Sequence, residues 1–378
     1  MNRDTSRRDF LKSASAGMAA PLIVGASQPQ VAAPDGRIRY GVIGTGNRGQ
    51  AHLRTVNEIL DIEVVAVCDS NERRLQQGAA LVRTQPETYT DYRKLLERKD
   101  LDAVILVVPD HLHAEMAIAA FRAGKHVLTE KPMATTLADA EAMIAAAERA
   151  GKVLQIGLQL RYTGLYLTAQ RELCEGRIGQ LKYIAANLYR GDWASWAKLA
   201  PEDREDRRWY IWKKYTGGTF VDLVGHDFDI FYMLNASEPR TVYAIGGLAQ
   251  YTDGRDTVDH AHAAIEYANG VRLGFALNMF APENRQSREM WLIGEKGTLY
   301  CSAGRQIVAL RDRATGQETP IEIVKSDGTL EEHRAFVESI RSGKPPYPDG
   351  RTGRIALKTS LAAERSMAQG RAIRWSEL

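Results

Sequence analysis

The stretch Gly41-Val42-Ile43-Gly44-Thr45-Gly46-Asn47-Arg48-Gly49 decides how this chain is read. Ile38, Tyr40, Val42 and Ile43 make an apolar run that ends in glycines spaced G-x-G-x-x-G at 44, 46 and 49. A helical period follows through about Glu58. Strand, glycine turn and helix in that order give each glycine a task. Gly44 permits the tight turn, and Gly46 lets a ligand come up against bare backbone. Gly49 allows helix and strand to pack closely. Asn47 and Arg48 then sit in the first helical turn, where free N–H groups and the helix dipole favour a pyrophosphate.

Working outward, Ile62 to Cys68 is a second wholly apolar strand, closed by Asp69. Asp69 lies 20 residues after Gly49, where an acidic side chain meets the adenosine ribose hydroxyls. A carboxylate there repels a 2′-phosphate, so the expected cofactor is NAD, with NADP less favoured. Arg73 and Arg74 just beyond it are the residues that could hold such a phosphate. Further strands are expected at Thr88–Thr90, Leu101–Val108, His126–Thr129 and Val153–Leu158. Helices are expected at Asn71–Val82, Tyr92–Glu97, Ala114–Arg122 and Leu137–Ala150. Apolar strands alternating with helices specify a parallel sheet covered on both faces, an α/β doubly wound domain over residues 37–158.

The texture changes over residues 159–378. After a helix at Leu165–Glu175 and a long strand at Leu181–Tyr189 come runs of two-residue alternation. They lie at Thr241–Ala249, His260–Tyr267, Val271–Met279, Arg288–Ile293, Ile307–Arg311 and Ile321–Val324. Asn269-Gly270 is a hairpin signal. Helices at Leu330–Ser342 and Arg351–Gln369 end the chain, separated by Pro345, Pro346 and Pro348. This is an α+β domain with a large, mostly antiparallel open sheet, one face buried.

Composition is that of a globular protein, 44% hydrophobic and 26% charged. Of the net charge of +3, residues 1–12 carry +2 (four basic, two acidic), leaving +1 for the rest. A body so close to neutral excludes nucleic acid as the expected partner. Cys68, Cys174 and Cys301 form no C-x-x-C pair, and no metal motif is present. The N-terminus reads Ser6-Arg7-Arg8-Asp9-Phe10-Leu11-Lys12, followed by a weakly apolar stretch from Ala14 to Ala26. It resembles a twin-arginine signal, which directs folded, cofactor-loaded proteins to the export machinery. Residues 1–33 are therefore expected to be a cleavable signal, and the protein periplasmic or otherwise exported.

Two further segments, Val108-Pro109-Asp110-His111-Leu112-His113 and Ala123-Gly124-Lys125-His126-Val127-Leu128-Thr129-Glu130-Lys131-Pro132-Met133, flank one helix. With the glycine motif, Gln159-Leu160-Arg161-Tyr162 and the stretch Gly217–His226, they resemble the glucose-fructose oxidoreductase, inositol dehydrogenase and MocA family. The Glu130-Lys131-Pro132 motif is the most specific mark. The resemblance runs from Arg37 to the C-terminal helices. It implies an NAD-dependent sugar or polyol oxidoreductase, with Lys131 beside the nicotinamide and Pro109, His113 and Glu130 around the cofactor. It also implies Asp222 and His226 as partners in proton transfer. Four residues apart, these two share a helix face if the segment is helical, so Asp222 is expected to hold His226 as the base while Lys131 lowers the hydroxyl pKa. The family's usual D-x-G-x-H is altered, with Val224 at the midpoint and the glycine at Gly225.

Arg161, Tyr162, Trp193 and Trp209 are candidate substrate contacts. Trp193, Trp196, Trp209 and Trp212 fit either sugar stacking or a subunit interface. Combining export with NAD implies a tightly held dinucleotide, loaded before export. A homodimer or homotetramer is expected through the exposed sheet face. Two alternatives stand beside the oxidoreductase: a redox-neutral glycoside hydrolase that oxidises its sugar transiently, and a non-catalytic ligand-binding protein.

Overall fold

The computed structural model describes residues 36–191, 208–281 and 287–378. The candidate export signal and Trp193 with Trp196 lie outside the described residues.

The first half alternates as expected: β1 (Ile38–Ile43), α1 (Asn47–Val56), β2 (Ile62–Cys68), α2 (Glu72–Ala79), β3 (Glu87–Tyr89), α3 (Tyr92–Leu96), β4 (Ala103–Leu106), α4 (His113–Arg122), β5 (His126–Glu130), α5 (Leu137–Ala150) and β6 (Leu154–Gly157). The sheet order is β3-β2-β1-β4-β5-β6, all pairs parallel. The chain leaves β1 in one direction and returns across it to β4, so a crevice opens at the carboxyl ends of β1 and β4. Helix limits follow local chemistry. Asn71, Asp91 and Thr136 cap α2, α3 and α5 by accepting from backbone N–H groups, and Gly151 ends α5 in the left-handed region.

The second half comprises α6 (Gly164–Cys174), β7 (Leu181–Tyr189), the short helices α7 (Lys213–Thr216) and α8 (Thr219–Asp222), α9 (Gly225–Asn235), β8 (Pro239–Gly247), β9 (His260–Tyr267), β10 (Arg272–Asn278), β11 (Ser287–Gly294), β12 (Gly297–Ser302), β13 (Ile307–Asp312) and β14 (Glu318–Ile321). It ends with α10 (Gly328–Ser342), α11 (Gly350–Gln369) and β15 (Ile373–Arg374). Nine strands form one sheet, β14-β13-β12-β11-β7-β10-β9-β8-β15. Every pair in it is antiparallel except β7 with β10. The hairpin between β9 and β10 turns at Gly270, whose φ of 85° suits the Asn269-Gly270 turn.

Three details depart from the sequence expectation. β12 was not anticipated, although Leu299 and Cys301 point inward while Thr298 and Tyr300 are half-buried. β15, only two residues long, was also unforeseen. The strand expected at Ile321–Val324 instead spans Glu318–Ile321. Pairing with β13 closes where Ile321 meets Val308, and the chain then turns away so that the Val324 N–H donates to Thr168 Oγ1 at 3.0 Å.

The two terminal helices return to the first sheet. Phe336 and Val337 of α10 join the core of Tyr40, Val42, Leu53 and Ile105, and Leu357 of α11 joins that of Met143 and Ile156. Helices far along the chain thus complete the hydrophobic cores of the first sheet.

Candidate active site

The glycine turn is built as its spacing requires. Gly44 has φ 94°, and a Cβ on it would meet the Val107 carbonyl oxygen at 2.0 Å. A Cβ on Gly49 would meet the Gly44 carbonyl oxygen at 2.0 Å, so α1 packs against the turn without a side chain between. At Gly46 a Cβ would meet nothing within 4 Å; the position faces open space. Gly46 is the N-cap of α1 and supplies no side-chain cap, unlike Thr136 at α5. The first turn of α1 thus keeps its N–H groups for a ligand.

This turn opens on a cavity of about 840 Å³ whose wall includes Gly44, Gly46, Asn47, Arg48, Gly49 and Asp69 at one end. Pro109, Asp110, Glu130, Lys131, Trp209 and Asp222 contribute elsewhere in the same wall. Asp69 braces the turn: Oδ2 accepts from the Thr45 N–H at 2.8 Å and from Thr45 Oγ1 at 3.2 Å, and Oδ1 accepts from the Asn71 N–H at 2.9 Å. The uncapped helix, the open face at Gly46 and the acidic end of β2 fit a dinucleotide. Arg73 and Arg74 also line the wall.

Lys131 follows β5, and its peptide bond to Pro132 is cis. Its Nζ donates to the Asp222 backbone carbonyl and, at 3.1 Å, to Asp222 Oδ1. Burial alone would lower the Lys131 pKa; the charge of Asp222 above all more than offsets that and raises it, so the ammonium keeps its charge. Glu130 is buried and held from the other side. Arg48 Nε donates to its Oε1, as does His52 Nε2 at 3.0 Å, while the Lys131 N–H donates to Oε2 at 3.1 Å. Burial would raise the Glu130 pKa, but Arg48 and His52 carry it well below the carboxylate range. With its Nε2 proton on Glu130, His52 must accept at Nδ1 from His333 Nε2, 2.8 Å away. His52 and His333 were not singled out from sequence. No local motif announces a histidine on α1 meeting one on α10.

Several expectations need correction. Asp222 does not hold His226. The helix stops at Asp222 and restarts at Gly225, so the two do not share one helix face, and the Asp222 carboxylate is taken by Lys131. His226 Nδ1 is buried without a hydrogen-bond partner, and His226 is not among the residues lining the cavity. Burial, then the charge of Lys131, lowers the His226 pKa well below the usual value, leaving a neutral imidazole. Arg161 does not reach the cavity. It is 2% exposed, and Nε and Nη2 each contact an Asp229 carboxylate oxygen at 2.6 Å. The Tyr162 hydroxyl donates to the Tyr347 carbonyl, also away from the cavity. His113 is buried behind the wall, its nitrogens 2.6 Å from the Pro132 carbonyl oxygen and 3.0 Å from that of Val108. It ties the Pro109 turn to the Lys131–Pro132 segment rather than facing the ligand. Arg48 does line the cavity, with its guanidinium committed to Glu130 and, at 3.2 Å, to Thr329 Oγ1. Of the tryptophans, Trp209 lines the wall and stacks on Tyr210 with ring centroids 3.9 Å apart.

Asp110 was passed over in sequence. It is 4% exposed, follows Pro109 at the carboxyl edge of β4, and forms part of the same wall as Lys131 and Asp222. Its position straight after the apolar strand was the available signal.

Comparison with known families agrees with this geometry. Residues 38–158 match the oxidoreductase family model with an NAD-binding Rossmann fold, and residues 171–375 match that family's C-terminal alpha/beta domain. The chain belongs to the Gfo/Idh/MocA oxidoreductase family. A myo-inositol 2-dehydrogenase of Thermotoga maritima is 27% identical over 348 residues, covering 90% of this chain and 99% of that protein. A scyllo-inositol 2-dehydrogenase (NAD(+)) of Bacillus subtilis is 27% identical over 345 residues, covering 88% and 95%. Among solved structures, a probable dehydrogenase from Thermotoga maritima superposes with a TM-score of 0.75 at 26% identity, over 90% of this chain and 99% of that one. The protein is an NAD-dependent oxidoreductase.

Proposed function

We propose that this oxidoreductase acts on a sugar or polyol, moving a hydride between a ring carbinol and NAD. The observation that carries the reading is one cavity holding both the dinucleotide cradle at Gly44, Gly46 and Asp69 and the charged pair Lys131–Asp222. Bound NAD supplies the hydride acceptor. The chain's own residues handle the proton. Asp222 aims the Lys131 ammonium, whose remaining N–H stabilises the developing alkoxide. His226, kept neutral and with Nδ1 unpartnered, is the group assigned to take the hydroxyl proton, although it stands outside the cavity lining. Trp209 offers an aromatic face to ring C–H groups. Both inositol dehydrogenase relatives support a cyclic polyol as the substrate class.

Further parts of the proposal concern the protein's setting. The motif around Arg7 and Arg8 supports export by the twin-arginine route. Outside the cytoplasm free dinucleotide is scarce, so the cofactor is held tightly and restored within the site. The sheet face bearing Tyr183, Tyr189, Tyr243 and Ile245, all exposed, is where a second copy docks to give a dimer or tetramer.

The test is to gel-filter purified protein, release and identify bound dinucleotide, and assay inositols, aldoses, sugar pairs and aryl glycosides with and without added NAD. Nicotinamide absorbance responding to a polyol supports the reading. Release of aglycone with no net redox change would replace it with the redox-neutral hydrolase. Activity only with millimolar free NAD would end the retained-cofactor part.

A further inference from the structure

Six aspartates are buried among the described residues: Asp102, Asp110, Asp222, Asp227, Asp229 and Asp259. Five are spoken for. Asp102 bonds Arg39, Asp222 bonds Lys131, Asp227 pairs with Arg288 and Asp229 with Arg161, while Asp259 accepts three backbone N–H groups. Only Asp110 has a carboxyl oxygen, Oδ2, both sealed from solvent and without a hydrogen-bond partner. It is also the one of the six, with Asp222, that lines the cavity.

The cations around it turn their hydrogen bonds to other protein groups. Lys131 gives its ammonium to the Asp222 carbonyl and carboxylate, and Arg48 is taken by Glu130. On α7, which packs against the Asp110 turn, Lys213 pairs with Glu364 at 3.4 Å and Lys214 lies over the Tyr215 ring. Tyr215 in turn lies tilted at 44° against His111, with ring centroids 4.8 Å apart. On α4, His113 is pinned to two carbonyls and Glu115 accepts from Tyr92. An ionised carboxylate left over in such a place is far costlier than a neutral acid. Burial, then the charge of Asp222, raises the Asp110 pKa well above the ordinary range against the opposing charge of Lys131, which agrees.

We propose that Asp110 is a substrate-binding residue that works as a neutral carboxylic acid, donating a hydrogen bond to a polyol oxygen neighbouring the reacting carbinol. The inference rests on the sugar or polyol reading above. A neutral acid must donate its proton somewhere, and no protein acceptor is offered to Oδ2. Rotation about χ2 exchanges the two oxygens, so the proton faces whichever side presents an acceptor. A polyol in the cavity supplies one. Asp110 thereby selects substrates carrying an oxygen at that neighbour, because a donor left without a partner penalises analogues that lack it.

Two variants separate the neutral acid from a carboxylate. Asp110→Asn keeps a donor and removes the ionisation; Asp110→Leu keeps the volume and removes the donor. Binding of NADH, followed by fluorescence, reports that each is folded and loaded. We expect the Leu variant to raise KM for the best polyol by about tenfold, the scale of one neutral hydrogen bond, with kcat within a few-fold. The Asn variant should stay within about threefold of wild type. Wild-type KM should climb on the alkaline side as the acid ionises, and that limb should be missing in the Asn variant. Independently of any substrate, the infrared difference between wild type and Asp110→Asn at neutral pH should contain the carbonyl band of a protonated carboxyl. Absence of that band overturns the proposal. So does an Asn variant as impaired as the Leu variant, or an unchanged KM in the Leu variant. A wild type that turns over no sugar or polyol would instead overturn the substrate reading, while the infrared band still decides the state of Asp110.

Discussion

Two ion pairs of similar composition do opposite work in this molecule. Arg161–Asp229 is closed: both side chains are at most 2% exposed, two contacts of 2.6 Å join them, and Tyr347 covers the guanidinium at 4.6 Å. Lys131–Asp222 is open: the side chains are 19% and 12% exposed, the contact to Oδ1 is 3.1 Å, and both residues line the cavity. The planar guanidinium locks a turn at the end of β6 to α9 through Nε and Nη2, with Nη1 sealed inside and facing no cavity. The single ammonium, aimed but not exhausted, retains a donor for a ligand. Arg161, Lys131 and Asp222 all lie in segments that bear the family resemblance, so the motif alone does not tell a structural pair from a working one. Access of a remaining donor to the cavity does.

The comparison breaks most sharply at the closed pair. Arg161→Met leaves Asp229 buried without a cation and should cost about 3–5 kcal/mol of stability, read as a lowered denaturation midpoint. Among the folded molecules, KM should hold. A large KM change with unchanged stability would return Arg161 to the substrate site. Next comes the open pair. Lys131→Ala should lower kcat by about 10²–10³ with dinucleotide binding retained, which stopped-flow hydride transfer measures directly; near-normal turnover would remove Lys131 from the chemistry. His226→Ala should lose at least about 10² in turnover and still bind cofactor, whereas an active variant would place the base elsewhere.

Two smaller effects sharpen the picture. The charge of Lys131 adds to burial in lowering the His226 pKa, so a proton NMR titration should place that imidazole below about 6.5 in wild type and move it upward in Lys131→Met. The part of the turnover profile set by neutral His226 should accordingly fall on the acid side, below the usual histidine value, separate from the alkaline rise in KM set by Asp110. A His226 signal insensitive to Lys131 would mean the two do not communicate. Asp69→Ala should narrow the preference for NAD over NADP by about tenfold, near the worth of one charge-assisted hydrogen bond, measured as the ratio of dissociation constants. No change would show that Asp69 serves only to brace Thr45.

The open pair also explains what sequence could not reveal about Asp222. Asp222 and His226 are four apart, which suits a shared helix face, but a helix break at Leu223 and Val224 separates them. Lys131, 91 residues away, claims the carboxylate. Sequence spacing describes only local geometry, and the competition for that carboxylate is settled by a residue on another sheet.

The sequence by itself determined the order of strands and helices in the first domain, the glycine turn, the placement of Asp69 and Lys131 at strand ends, and the alternation of most of the second sheet. These follow from local period and turn chemistry, helped by glycines at 44 and 49, where a side chain would collide with the backbone of Val107 and of Gly44. Tertiary structure alone decided which charged groups spend their hydrogen bonds on one another. It sent Arg161 to Asp229, His52 to His333 and Asp222 to Lys131. It left Asp110 with an oxygen unmatched in the wall of the cavity. Partners so far apart in the chain meet only when the sheets and the returning helices α10 and α11 have packed. Where such an unmatched oxygen also belongs to the cavity wall, as at Asp110, it marks where a ligand belongs.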